Sequence, residues 1–196
     1  LAVAVHAVRK FGGIKGMRVA VLGAGPIGIL VAQAAKGMGA ESVLITDVSA
    51  LRLEKAKQCG VDYCVNTRET DFGAALVSAF GPDKADVIYD CAGNDVTMGQ
   101  AIRDARKGST IILVAVFAGM AKVDLAVLND HELDLNTTMM YRNEDYIEAI
   151  ALVRAGRVDL KPLISKHFAF KDYAEAYRYI DENRETTMKV IIDVQA

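Results

Sequence analysis

The sequence has no tryptophan, and only three residues each of cysteine, histidine and proline among its 196. Cys59, Cys64 and Cys91 are odd in number and form no Cys-x-x-Cys pair. That argues against a disulfide framework and a cysteine-based zinc site, and fits a reducing, cytoplasmic setting. His6, His131 and His167 are far apart and form no His-x-x-x-His pair, so each reads as a surface or core-edge side chain. An excess of charge is missing too. The formal net charge is -2, which gives no reason to expect nucleic acid or an anionic membrane as partner. No segment reads as a signal peptide. The uncharged run 19–35 contains Gly23, Gly25, Pro26 and Gly28, and divides into strand, turn and helix rather than a membrane span.

What is present is a globular balance, with 52% hydrophobic and 24% charged residues, and enough length for one domain with an appendage. The first residues read as a helix already under way, so a piece of a longer polypeptide is expected. After residue 16, short apolar runs alternate with helical ones. Strands are expected at 17–22, 42–47, 63–65, 85–91 and 110–116. Helices are expected at 26–38, from Ser49 to Gly60, at 72–80 and at 96–105. Pro26 suits a first helical turn, Ser49 an N-cap and Gly60 a stop. The strands are continuously apolar, as burial on both faces of a parallel sheet requires. This succession predicts an α/β fold with a doubly wound parallel sheet. Beyond it, a short helix is expected at 128–133, a longer one at 145–155, another at 172–180 and a strand at 188–194. This tail shows no obvious continuation of the sheet, so a C-terminal helix-strand appendage is expected.

The motif that carries chemistry is Gly23-Ala24-Gly25-Pro26-Ile27-Gly28, a G-x-G-x-x-G placed between a strand and a helix. Gly23 permits the tight turn, Gly25 leaves room for a pyrophosphate and Gly28 lets the helix pack closely. The helix start then offers N–H groups and its dipole to the phosphates. Three glycines at this spacing would cost stability without return if no ligand came. Asp47 follows Gly28 at the end of the second strand. There a carboxylate can accept from both ribose hydroxyls of an adenosine and repel a 2′-phosphate, which predicts NAD over NADP. The plain alternative is an Asp that only caps the next helix. Arg52, one turn further on, reaches the ribose edge or adenine face, or stands solvated; contact with a 2′-phosphate would weaken the NAD preference. Ligands of such folds lie beyond the carboxyl ends of strands. That selects Cys91 with Ala92 and Gly93, and Val114 to Val116. Cys91 reads as a small apolar neighbour of the cofactor rather than a reactive thiol.

The runs VAVLGAGPIGILVAQAAKGMGA and ITDVSALRLEKAKQCGVD, with DCAG at Asp90–Gly93 and KPLIS at Lys161–Ser165, carry a resemblance. The sequence resembles the medium-chain, zinc-dependent alcohol dehydrogenases, in their sorbitol (polyol, L-iditol 2-) dehydrogenase branch, over nearly all of its length. The resemblance implies a Rossmann domain at 1–158 and, at 159–196, a segment that returns to the catalytic domain. It implies NAD held by Gly23, Gly25, Pro26, Ile27, Gly28, Asp47 and Arg52, with Cys91, Val114, Val116 and Tyr141 of the 140–142 loop beside it. It implies a parent enzyme that oxidises a secondary alcohol or polyol to a ketone, with zinc polarising the substrate oxygen. The family's zinc ligands lie in an N-terminal GroES-like half, so no metal ligand and no catalytic residue is expected in this chain, nor activity from it alone. Family members of this branch carry Phe-Arg-Tyr near the substrate; here Met140-Tyr141-Arg142 stands there. A dimer or tetramer is expected, through a strand near 123–125 pairing between subunits. Without the other half, the strand 188–194 is expected to lack its usual partners, and an unpaired apolar edge is an association hazard. The alternatives are a dinucleotide-sensing module without catalysis, against which the run 46–60 speaks, and an S-adenosylmethionine-binding domain, against which Gly28 and Asp90–Gly93 speak.

Overall fold

Strands that are apolar on both faces can be satisfied only between two layers, and the computed structural model of the chain, described for residues 1–195, builds that sandwich. Ala196, the last residue of the expected C-terminal segment, lies outside the described residues. Six strands form one sheet: β1 (Arg18–Leu22), β2 (Ser42–Asp47), β3 (Tyr63–Asn66), β4 (Val87–Asp90), β5 (Thr110–Leu113) and β6 (Asp134–Thr137). Their order is β3-β2-β1-β4-β5-β6, and every neighbouring pair is parallel. The winding reverses between β1 and β4, which opens a crevice at the carboxyl edge, where ligands of such sheets bind.

The helices are α1 (Ala2–Phe11), α2 (Pro26–Gly37), α3 (Ala50–Gln58), α4 (Phe72–Phe80), α5 (Asp95–Asp104), α6 (Leu125–Asp130) and α7 (Asn143–Arg154). On one face of the sheet α1, α2 and α7 pack together, and the buried Tyr89 hydroxyl donates to the Val8 carbonyl of α1. On the other, Phe72 and Leu76 of α4 and Met98 and Ile102 of α5 pack on Leu22, Leu44, Ile88 and Ile111. Each such side chain contributes roughly 1.5–3 kcal/mol of hydrophobic stabilisation.

Several expectations shift. β5 stops at Leu113, not 116, because the Val114 and Ala115 N–H groups both donate to the Asp90 carbonyl (2.9 and 3.0 Å), which turns the chain out of the sheet. α6 begins at Leu125 rather than 128, because the Asp124 carboxylate accepts from the Ala126 and Val127 N–H groups. Within the single chain, residues 121–124 lie outside regular structure and Leu125 opens α6. The tail does continue the sheet, through β6. Its sequence, Asp-Leu-Asn-Thr, belongs to a largely exposed edge strand, where polar residues mask the apolar pattern.

A second compact unit begins at Asp159. It holds β7 (Ile164–Ala169), α8 (Tyr173–Glu182) and β8 (Lys189–Asp193), with 3₁₀ turns at Lys161–Leu163 and Phe170–Asp172. Within this unit β8 pairs in parallel with β7, from Ile164↔Lys189 to Ala169↔Asp193. The appendage is therefore a strand-helix-strand unit. The Phe168 and Tyr179 rings lie 5.7 Å apart, with the Lys166 ammonium 4.6 and 4.4 Å from their centroids. That places a cation on two aromatic faces.

Candidate functional site

The three motif glycines do three separable things. Gly23 adopts φ 95°, and a Cβ there would sit 3.1 Å from Ala92. At Gly28 a Cβ would lie 1.8 Å from the Gly23 carbonyl oxygen, so α2 can seat this close only on glycine. Gly25 is different. Its φ of -68° suits any residue, and no protein atom lies within 4 Å of the place a Cβ would take. The space it leaves open faces the crevice. Pro26 is the first residue of α2, no side chain caps that helix, and Ile27 is partly exposed beside it. The first-turn N–H groups and the positive end of the helix dipole are left for an anion.

Asp47 ends β2 and is buried. Its Oδ2 accepts from the Ala24 N–H at 2.8 Å and its Oδ1 from the Ser49 N–H at 2.9 Å. A carboxylate offers about four acceptor positions, so each oxygen retains capacity for a ligand hydroxyl. The Arg52 guanidinium stands 3.9 Å from Oδ2, and the Arg52 N–H donates to Ser49 Oγ, the N-cap of α3.

Asp90 ends β4 and is fully buried. Burial pushes its carboxyl above the ordinary range, while the Gly93 and Ala92 N–H groups and the Thr97 hydroxyl pull it back. These bonds, of 3.0–3.1 Å to Oδ1, fix the turn that carries residues 91–94. Asn94 then caps α5, with Thr97 returning the bond. Burial, with the neighbouring Asp90 charge, also pushes the Cys91 thiol far above its usual range. A nucleophilic thiolate is disfavoured there.

Gly23, Gly25, Asp47, Arg52 and Cys91 meet in one cavity of about 320 Å³, a size within the range of small-molecule sites. Pro26, Ile27 and Gly28 form the helix start at its edge. Val114, Val116 and Tyr141 do not line it. Val114 is buried past the end of β5, Val116 is exposed, and Tyr141 stacks edge-on against Tyr146 at 4.9 Å. Thr67, Asn94, Thr97 and Gln100 also line the cavity and were not singled out from sequence. Thr67 follows β3, so the carboxyl-edge rule applied to β4 and β5 would have found it. Asn94 and Thr97 carry only a capping signal. Among the described residues, no three His, Cys, Asp or Glu side chains gather as a metal site.

The loop after β6 is held from another side. Asp145, nearly fully buried in the first turn of α7, accepts from the Arg142 N–H (2.7 Å) and from Arg9 Nη1 (3.1 Å), and pairs with His6 Nδ1 (2.8 Å). Met140 in this loop adopts φ 59°, unusual for a residue with a side chain.

A family model described as zinc-binding dehydrogenase matches residues 26–155, most of the unit that builds this cavity. The chain belongs to the zinc-binding dehydrogenase family. Sorbitol dehydrogenase 1 of Saccharomyces cerevisiae is 32% identical over 199 aligned residues, 98% of this chain and 56% of its own length. Sorbitol dehydrogenase of Ovis aries is 34% identical over 179 residues, 90% of this chain and 50% of its own. The chain thus spans about half the length of the curated relatives it matches, and corresponds to the cofactor-binding half of this NAD(P)-dependent family. An alcohol dehydrogenase of Escherichia coli CFT073, solved with NADH, superposes with a TM-score of 0.86 at 25% identity, covering 96% of this chain and 56% of that one. A zinc-binding dehydrogenase of Sinorhizobium meliloti 1021, solved with NADP, shares the fold with a TM-score of 0.83 at 24% identity, covering 98% of this chain and 57% of that one. Family membership leaves little room for the S-adenosylmethionine alternative. Among the described residues, no helix is long and apolar enough to cross a membrane.

Proposed function

We propose that this chain is the NAD-binding half of a dehydrogenase that oxidises a secondary alcohol of a polyol to a ketone. The observation that carries the NAD preference is Asp47, a buried carboxylate lining the cavity beside Gly23 and Gly25. In this reading the pyrophosphate lies over Gly25 at the α2 N-terminus, and both adenosine ribose hydroxyls donate to Asp47. A 2′-phosphate at about 4 Å from that carboxylate would be repelled by roughly 1–4 kcal/mol per unit charge. Arg52, already within 3.9 Å of Asp47, offsets part of this.

When bound, NAD supplies the hydride acceptor. Asp90 holds the 91–94 turn against one side of it, and the paired Asp145 positions the 140–142 loop, with Val114, Val116 and Tyr141, toward the nicotinamide end. The Cys91 thiol stays protonated and serves as a wall. The sorbitol dehydrogenases among the relatives support a polyol as the parent's substrate. The residues described here offer a zinc ion no ligand set, and this chain by itself would bind the dinucleotide without turning over an alcohol. Residues 159–196 act as the segment that completes a catalytic domain.

The test is calorimetric titration of the chain with NAD and NADP, in the wild type and in Asp47→Asn. Tighter binding of NAD, with the gap narrowed in the variant, is the expected result. Equal binding of both cofactors by the wild type would overturn the preference, and binding of neither by folded protein would overturn the reading.

A further inference from the structure

A second cavity, of about 340 Å³, lies between α1 and the start of α7 and shares no residue with the first. Its lining is His6, Arg9, Lys10, Arg142, Glu144 and Asp145. Three of these are permanent cations and two are carboxylates. Asp145 is already engaged internally: Arg9 answers its charge, and His6 and the Arg142 N–H take up further acceptor positions. Glu144 stands 4.0 Å from Arg142 Nη1, with both side chains more than half exposed, so their attraction is weak. Arg9 uses only Nη1 on Asp145. The remaining Arg9 donors, the Arg142 fork and the Lys10 ammonium border the cavity, and of its two lining carboxylates only Glu144 approaches the Arg142 fork, at 4.0 Å. The lining includes no Phe, Tyr or Trp ring.

We propose that this cavity is a binding site for a small oxyanion, a phosphate or carboxylate group. Guanidinium forks match the two oxygens of such a group with parallel N–H···O bonds, and an ammonium adds a point charge. A neutral polyol would leave these charges unanswered, and a cation would be repelled by them. Asp145 organises the site rather than occupying it. By holding Arg9 of α1 and the Arg142 backbone at the N-cap of α7, it ties together the two segments that border the cavity. Glu144 is the one group that opposes the anion, which makes its removal diagnostic. The proposal does not depend on dinucleotide binding in the first cavity.

The test is two-dimensional NMR titration of the chain with inorganic phosphate, with gluconate and with sorbitol, at ionic strength held constant with chloride. Saturable shifts centred on Lys10 and residues 142–145 are expected with phosphate, gluconate or both, and none there with sorbitol. Saturation by phosphate alone assigns a phosphate-bearing ligand, and saturation by gluconate a carboxylate-bearing one. Phosphate can also enter the first cavity at the α2 N-terminus, but NAD would displace it there and leave the shifts at Lys10 in place. Arg142→Gln should weaken binding about tenfold or more, as the loss of a charged hydrogen-bond donor implies. Glu144→Gln should tighten it. Both substitutions are at exposed positions and should leave the chain folded. Shifts that do not saturate, or that survive Arg142→Gln unchanged, overturn the site.

Discussion

The Ala24 backbone N–H donates to Asp47 Oδ2 at 2.8 Å, so the carboxylate proposed to read the ribose also locks the glycine turn to the end of β2. Ala24 is fully buried. Asp47→Ala would strand that N–H at a cost of about 1–3 kcal/mol and confuse lost binding with lost structure. Asp47→Asn removes the charge and keeps one acceptor, enough for the buried Ala24 N–H, while its amide N–H groups turn toward the part-buried Ser49 N–H. The variant should fold with a small loss of stability, bind NAD more weakly and favour it less over NADP, by roughly 1–4 kcal/mol. Calorimetry with both cofactors reads the ratio. An unchanged ratio would show that Asp47 serves only the turn.

Gly25→Ala and Gly28→Ala should fail in opposite ways. The first places a methyl in open space at an ordinary φ. Stability should hold or rise by about 0.4–1 kcal/mol, through a less flexible unfolded chain, while dinucleotide binding is lost. The second drives a Cβ into the Gly23 carbonyl and should cost about 1–3 kcal/mol or more. Urea unfolding beside NAD titration separates the two. If Gly25→Ala binds NAD normally, the pyrophosphate does not pass over Gly25.

Asp145 gives a pH signature. Burial pushes its carboxyl up, but bonds from the Arg142 N–H, Arg9 and His6 outweigh this and hold it below the ordinary carboxylate range. Its folded pKa thus lies under its unfolded one. The stability it contributes is present above the unfolded carboxylate pKa and lost as pH falls through the folded one. Asp145→Asn should be less stable than wild type near neutrality, by about 1–3 kcal/mol. The gap should close on acidification. Urea midpoints from pH 7 down to pH 3 check it, and a gap that widens on acidification would contradict the assignment.

The thiols should be slow. Burial pushes Cys64 up to about 11, against the opposing pull of Lys57, and pushes Cys91 higher still. Since the thiolate is the reactive species, a disulfide reagent at pH 8 should modify both far more slowly than free cysteine. Mass mapping of the modified peptides measures it. Rapid labelling of Cys91 would mean that its side chain opens to solvent.

The first five strands were readable because each is a near-continuous apolar run between glycine or capping punctuation. The glycine turn was readable because Gly23 takes a positive φ and Gly28 a close approach that no other residue allows, and Asp47 because it ends a strand at the carboxyl edge of the sheet. β6 and β7 were not. β6 is a largely exposed edge strand with Asp134, Asn136 and Thr137, and β7 carries Lys166 and His167 in its middle. A half-solvated strand writes no clear period. The wall of the cavity formed by Thr97 and Gln100 was hidden for another reason: polar residues on ordinary helices acquire a role only when distant segments meet.

Because the first cavity is walled by segments following β1, β2, β3 and β4, it exists only when that part of the sheet is assembled. A ligand there recognises the folded unit and nothing in the open chain. At a free concentration a hundred times its dissociation constant, it would raise folding stability by about 2.7 kcal/mol. With the dinucleotide proposed for that cavity, the melting temperature of this chain would rise with its concentration.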